Sequence, residues 1–226
     1  MEDLRYHNMF KDSKKKYEIV PNAVSYELSN FLFNYLLMTR DASAFLIQQE
    51  MIKDQLGTPF GTWRDPQIPN TFSKYGDAGL ETLLMKLLPM TSKITQQNLI
   101  PCYAYGRIYK KGDILHRHID RPSCEVSCTI NLGGEPWPIF MGISKKKSIK
   151  KKKKKPSKGI SVLLKPGDML IYCGHHIEHW REPFQGNNHC QAFMHYNNKD
   201  GPYGQENMFD RRPMLGLPNV TQNRQR

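Results

Sequence analysis

The feature that most constrains this chain is a change of periodicity near residue 99. Before it, apolar residues recur at helical spacing. After it, short strand-like segments alternate with glycine and proline turns. The segments are Cys102–Tyr109, Glu125–Leu132, Trp137–Ile143, Gly159–Leu164, Met169–Cys173 and Cys190–Tyr196. Turn signals fall at Lys111-Gly112-Asp113, Gly133-Gly134 and Pro166-Gly167-Asp168. Many short strands at close spacing, separated by such turns, argue for a sandwich or barrel.

The first half supplies helices to cover such a structure. Tyr17–Val20 reads as a short strand broken by Pro21 and Asn22. Leu28, Phe31, Leu32, Tyr35 and Leu36 share a helical face, with Ser25 as N-cap. Asp41 is expected to cap a second helix running to about Gly57. Residues 58–77 read as a long loop, and Trp63, Phe72 and Tyr75 suggest that it packs over a pocket. Leu80, Leu83, Leu84, Leu87 and Leu88 make a third amphipathic helix, expected to end near Pro89. The expected fold class is α+β: a double-stranded β-helix (jelly roll) with the N-terminal helices packed on one sheet. Residues 1–226 are expected to form one domain, with 17–98 mainly helical support, 99–198 the core, and 145–158 a lysine-rich loop insertion.

Composition narrows the function classes. At 38% hydrophobic and 11% aromatic residues, the chain can build a packed core. No apolar run approaches the roughly 20 residues that cross a bilayer, so no membrane role is expected. Met1–Lys16 lacks the apolar stretch of a signal peptide, which predicts a cytoplasmic protein. Cys102, Cys124, Cys128, Cys173 and Cys190 are odd in number and contain no CxxC pair, so they read as small core residues. The net charge is +12, but nine lysines fall within Lys145–Lys155, and removing those nine leaves +3. A run of this kind reads as a solvated loop. Nucleic acid is a partner only through that loop.

The densest chemistry lies at His116-Arg117-His118-Ile119-Asp120. Residues two apart on a strand point the same way, so His118 and Asp120 can approach one metal ion together. The third ligand must come from elsewhere, with His175, His176, His179, His189 and His195 as candidates. Two imidazoles and one carboxylate form the facial set that holds non-haem iron(II) and leaves positions open for cosubstrate and oxygen. His116 shares the parity of His118 and is a candidate neighbour of the site.

These residues resemble the iron(II)/2-oxoglutarate-dependent oxygenases, in particular the small prolyl-4-hydroxylase-like members. The likeness runs through Tyr109, the Gly112 turn, Leu115 and the His118-Ile119-Asp120 motif. It continues with the Pro166-Gly167-Asp168 turn, the Met169–Tyr172 strand and the segment Glu178–Pro183. It spans about Leu99 to Tyr196. It implies iron(II) on His118, Asp120 and His179, with 2-oxoglutarate as cosubstrate and ascorbate as a candidate reductant. His175 and His176 fit the distal position less well, because they adjoin Gly174 in the expected turn.

One departure matters. The family places an arginine or lysine on the last core strand to bind the distal carboxylate of 2-oxoglutarate. Here that position is His189, and no arginine or lysine lies between Arg181 and Lys199. His189, Gln191, Asn131 and Tyr109 are therefore the expected cosubstrate residues. Arg107 reads as a solvated strand residue, and as a carboxylate partner only if it points inward. Arg121, Trp180 and Arg181 are candidates for substrate contact.

The resemblance implies a dioxygenase that hydroxylates a C–H bond of a peptidyl or free amino-acid side chain, proline first, with succinate and carbon dioxide as coproducts. Two alternatives stand beside it: a nucleic-acid-modifying oxygenase of the same fold, and a non-enzymatic cupin-like metal-binding module. The sequence predicts no oligomeric state.

Overall fold

The computed structural model describes residues 16–142 and 158–218. The lysine run falls outside these residues. Among the described residues no helix is long and apolar enough to cross a membrane.

Two antiparallel sheets and two helices make up the fold. In chain order these are β1 (Tyr17–Val20), α1 (Tyr26–Gln48), β2 (Phe72–Tyr75), α2 (Ala78–Thr95), β3 (Leu99–Tyr109) and β4 (Leu115–His118). There follow β5 (Val126–Gly134), β6 (Ile139–Met141), β7 (Ile160–Val162), β8 (Met169–Tyr172), β9 (His179–Arg181) and β10 (His189–Asn198). The six-stranded sheet has the order β1-β8-β5-β10-β3-β2, and the four-stranded sheet β4-β9-β6-β7. From β3 to β10 the chain thus passes repeatedly between the sheets.

Strand alternation sorts the six-stranded sheet into two faces. On the outer face Ala104, Ile108, Cys128, Ile130, Leu132, Cys190, Ala192 and Met194 join Leu32, Leu36, Leu80, Leu83, Leu84 and Leu87 of the helices in one apolar core. Gly106 makes that approach close, because a Cβ there would meet Leu80 and Leu36. The alternate residues point between the sheets: Tyr103, Tyr105, Arg107 and Tyr109 of β3, and His189, Gln191, Phe193 and His195 of β10. The helices pack on one sheet, as expected.

Three local expectations are corrected. Asp41 caps no helix. α1 runs through it unbroken from its Ser25 cap, whose hydroxyl accepts from the Leu28 amide. Asp41 instead receives the Arg40 guanidinium at 2.8 Å, and the buried face continues from Leu36 to Ser43. Pro89 does not end α2, which continues to Thr95 and closes on a left-handed Gln96. Pro89 lies on the exposed face, so the hydrogen bond it forfeits is on the solvent side, while Leu87, Thr91 and Thr95 stay buried. Finally, residues 58–77 are not all loop: β2 pairs Phe72–Tyr75 with Ile108–Tyr105 of β3.

Candidate metal centre

β4 and β9 are antiparallel neighbours with His118 opposite His179. Asp120 follows β4, and its amide donates to the Gly174 carbonyl at 2.9 Å. Gly174 has no room for a side chain, since a Cβ would meet Ser127 and Asp120. The result is a tight cluster in which the ligand atoms of His118, Asp120 and His179 all lie within 4.8 Å of one another. Asp120 Oδ1 is 3.5 Å from His118 Nε2 and 3.6 Å from His179 Nε2.

Backbone carbonyls fix the tautomers. His118 Nδ1 lies 2.7 Å from the His116 carbonyl, and His179 Nδ1 lies 2.9 Å from the Ile177 carbonyl. A carbonyl only accepts, so each Nδ1 carries the proton and each Nε2 turns a lone pair toward Asp120. Asp120 Oδ2 is held by the Ser127 hydroxyl at 2.9 Å. Burial alone would raise the Asp120 carboxyl, but its interactions with the surrounding His118, His179 and His195 rings outweigh it and hold it well below the usual range. Burial pushes His179 below the ordinary histidine value. Burial also works against protonated His118, but Asp120 overrides it and raises that residue. Two imidazole lone pairs and one ionised carboxylate facing a common point fit a divalent transition-metal ion bound through one face.

The cluster stands in the wall of a cavity of ≈ 480 Å³. Its lining includes Tyr103, Tyr105, Arg107, Tyr109, Arg121 and Phe193 from the large sheet and its connections, and Asp65, Pro66 and Gln67 from the loop before β2. That loop supplies residues that sequence reasoning missed. Gln67 Nε2 reaches the His118 lone pair at 3.0 Å, and Asp65 pairs with Arg107 at 2.5 Å. The aromatic loop composition was the available signal, but the pairing of Asp65 with Arg107 is set by tertiary register. Arg107 is not a solvated strand residue. It is 2% exposed, faces the cavity and also donates to Gln67 Oε1 at 2.8 Å.

The remaining expected residues divide. Tyr109, Gln191 and His189 are buried between the sheets. The Tyr109 hydroxyl, Gln191 Nε2 and His189 Nε2 have no hydrogen-bond partner. Asn131 is committed to a turn, donating to the Leu164 carbonyl and accepting from the Gly133 amide. Arg121 lines the cavity with its guanidinium bound by both Asp210 oxygens, at 2.8 and 2.7 Å. Arg181 shares the inward face of β9 with His179. Trp180 lies on the opposite face, stacked on Phe140 and covered by Arg117. His175 and His176 are not part of this cluster; they group with Cys173 in the β8–β9 turn. His195 lies beside Ser127, its ring driven down to about 4 by burial.

No family model and no curated protein matches the chain. Solved structures do. A prolyl-4-hydroxylase from Pseudomonas putida shares 12% identity over 85% of this chain and 98% of its own, with a TM-score of 0.51. HygX from Streptomyces hygroscopicus, with nickel and 2-oxoglutarate bound, shares 12% identity over 88% and 87%, with a TM-score of 0.53. A 2OG-Fe(II) oxygenase family oxidoreductase from Burkholderia pseudomallei shares 13% identity over 87% and 90%, with a TM-score of 0.51. At such identities the likeness is one of fold: the chain folds as prolyl-4-hydroxylases and other 2-oxoglutarate/iron(II) oxygenases do.

Proposed function

We propose that this protein is an iron(II)/2-oxoglutarate-dependent dioxygenase built on a double-stranded β-helix. The eight strands of that β-helix are β3 to β10, in the orders β8-β5-β10-β3 and β4-β9-β6-β7. One observation carries the reading. Three ligand atoms of the facial type converge in a cavity wall, with their tautomers already set for metal. His118, Asp120 and His179 would hold iron(II), which together with 2-oxoglutarate and oxygen supplies the oxidising power to hydroxylate an unactivated C–H bond, releasing succinate and carbon dioxide.

The protein's own residues do the rest. The His116 and Ile177 carbonyls keep both Nε2 atoms free of protons, and the Ser127 hydroxyl orients Asp120. The Asp65–Gln67 loop, tied to Arg107, walls the cavity against water. Tyr109 and Gln191 offer unused donors to a cosubstrate. Tyr103, Tyr105 and Phe193 make the cavity wall aromatic, which suits a substrate with an apolar ring or chain. A peptidyl or free amino-acid side chain fits that lining. Proline is favoured by the motif layout, while the structural neighbours that are prolyl hydroxylases support the reaction class. Other neighbours are an epimerase and a carbocyclase, so the fold alone does not choose the substrate.

The test is anaerobic titration of the protein with iron(II) and 2-oxoglutarate, watching for the visible charge-transfer band of the chelate. The expected result is a band that needs both components and disappears in His179→Ala. A wild-type protein that gives no band with any 2-oxo acid overturns the reading in favour of a non-enzymatic metal-binding module. Succinate release with prolyl peptides, against equivalent peptides lacking proline, tests the substrate class.

A further inference from the structure

Arg181 is a buried cation without a counter-ion. It is 1% exposed and is the largest of the fully buried side chains. Its guanidinium donates to the Trp137 carbonyl and lies 4.8 Å over the Trp137 ring. Its Nε has no partner. Among the described residues no carboxylate pairs with it. The other two fully enclosed arginines are treated differently: Arg107 pairs with Asp65, and Arg212 with Glu81 at 2.5 Å. Leaving a guanidinium unpaired in a low-dielectric interior is costly, so a fold keeps one where an anion is to arrive.

The groups around it point to the same missing partner. The Tyr109 hydroxyl is fully buried and has nothing to donate to. Tyr109 and Tyr172 both lie within electrostatic reach of the guanidinium. Both line the cavity that holds His118, Asp120 and His179. β9 sets the depth. Arg181 lies two residues beyond His179 on the same face, about 7 Å further in at the usual strand rise, opposite Leu115 rather than His118. An anion bound there would belong to a molecule whose other end reaches the metal cluster.

His189 lies at the same depth on the facing sheet, but it is the wrong charge. Its Nδ1 lies 2.8 Å from the Glu135 carbonyl and so carries the proton, leaving Nε2 as a bare acceptor. Burial, reinforced by the charge of Arg181, pushes its ring down to about 3 and keeps it neutral.

We propose that Arg181 of β9, with the Tyr109 hydroxyl, binds the distal carboxylate of a dicarboxylic 2-oxo acid, so that the anchoring cation comes from the four-stranded sheet and His189 of β10 does not supply it. The guanidinium fork matches a carboxylate in geometry as well as charge. Arg181 is then the residue that selects a 2-oxo diacid over a 2-oxo monoacid. This rests on the oxygenase reading above.

The experiment measures binding, not turnover. Wild type, Arg181→Met, Arg181→Lys, Tyr109→Phe and His189→Asn are loaded anaerobically with cobalt(II) in place of iron. Each is then titrated calorimetrically with 2-oxoglutarate and with pyruvate, which lacks the distal carboxylate. Arg181→Met should lose on the order of 100-fold in 2-oxoglutarate affinity. Its affinities for pyruvate and cobalt should stay within about 3-fold of wild type, which also shows that the variant is folded. Arg181→Lys should fall between, and Tyr109→Phe should lose about 10-fold, the low end of the worth of one hydrogen bond to a charged group. If Arg181→Met keeps its 2-oxoglutarate affinity, or if His189→Asn loses it instead, the assignment is overturned while the oxygenase reading stands. If wild-type protein binds cobalt but neither 2-oxo acid, the oxygenase reading itself fails.

Discussion

Two arginines buried in different regions of the molecule are satisfied in opposite ways. Behind the large sheet, Arg212 reaches Glu81 of α2 at 2.5 Å. Glu81 also accepts from the Gly216 amide, and Arg212 donates to the Cys102 and Leu217 carbonyls. Every charge there has its answer within the chain. Between the sheets, Arg181 has one carbonyl and an aromatic face, with orphaned donors beside it. The contrast separates a charge that fastens the fold from one that awaits a ligand. Desolvation makes both expensive, and only the first is repaid on folding.

Replacing each arginine with methionine breaks the comparison most directly. Arg212→Met strands the Glu81 carboxylate in the core and should cost about 3–5 kcal/mol. Chemical denaturation of the unliganded protein would read this as a lower midpoint. Arg181→Met strands no charge, so its stability should lie within about 1 kcal/mol of wild type or above it. The gap between the two variants should narrow when ligand is present. At 100 times its dissociation constant, a metal-bound 2-oxo acid adds about 2.7 kcal/mol to wild type, and Arg181→Met should gain far less. Equal losses in the two variants would make Arg181 an ordinary structural residue.

Much of this was legible in the sequence, and the limits have physical reasons. The switch of period at residue 99 marks the real change from helix to strand, because periodicity records which face is buried. The structure brings His118 and Asp120 together as their two-residue spacing suggests, and sets His179 beside them, the histidine that the family resemblance implies. Local signals failed where tertiary burial outweighed them. Asp41 looks like a cap, but the buried face of α1 runs through it. Pro89 looks like a stop, but it lies on the exposed side of α2. Orientation was the other blind spot. Whether Arg107 faces water or the cavity depends on the register of β3 with β10, and its acid partner lies 42 residues earlier. His189 stands where the resemblance places a cation, yet the Glu135 carbonyl that fixes its tautomer cannot be seen in a motif.

Acid should sharpen the comparison by a somewhat smaller amount. His189 is held neutral in the folded state, with its pKa pushed down to about 3 by burial and by Arg181. In the unfolded chain it titrates near 6.5. Between those values the unfolded state binds a proton that the folded state refuses. Its contribution is therefore intact above about pH 6.5 and is lost progressively as pH falls. By pH 4.5 the loss from this one ring is on the order of 3 kcal/mol. Urea midpoints from pH 7.5 to 4.5 should fall less steeply in His189→Asn than in wild type. Parallel curves would mean that the ring is not held neutral, and the argument against it as the anchoring cation would weaken with it.

The smallest expected effect uses one substitution in both regions. Tyr196 and Tyr109 are both fully buried. The Tyr196 hydroxyl donates to the Leu84 carbonyl at 2.8 Å, whereas the Tyr109 hydroxyl has no partner. Tyr196→Phe removes a satisfied bond and should cost about 1 kcal/mol, or about 2–4 °C in melting temperature for a chain of this size. Tyr109→Phe removes a polar atom that the fold has left unanswered, so the unliganded protein should melt within about 2 °C of wild type. The second hydroxyl earns its place only when an acceptor is present. A 2-oxo diacid bound with metal should therefore raise the melting temperature of Tyr109→Phe less than that of wild type, and should raise Tyr196→Phe by as much. If Tyr109→Phe lowers the unliganded melting temperature as far as Tyr196→Phe does, its hydroxyl is already satisfied within the fold, and the cavity has one fewer donor waiting for an anion.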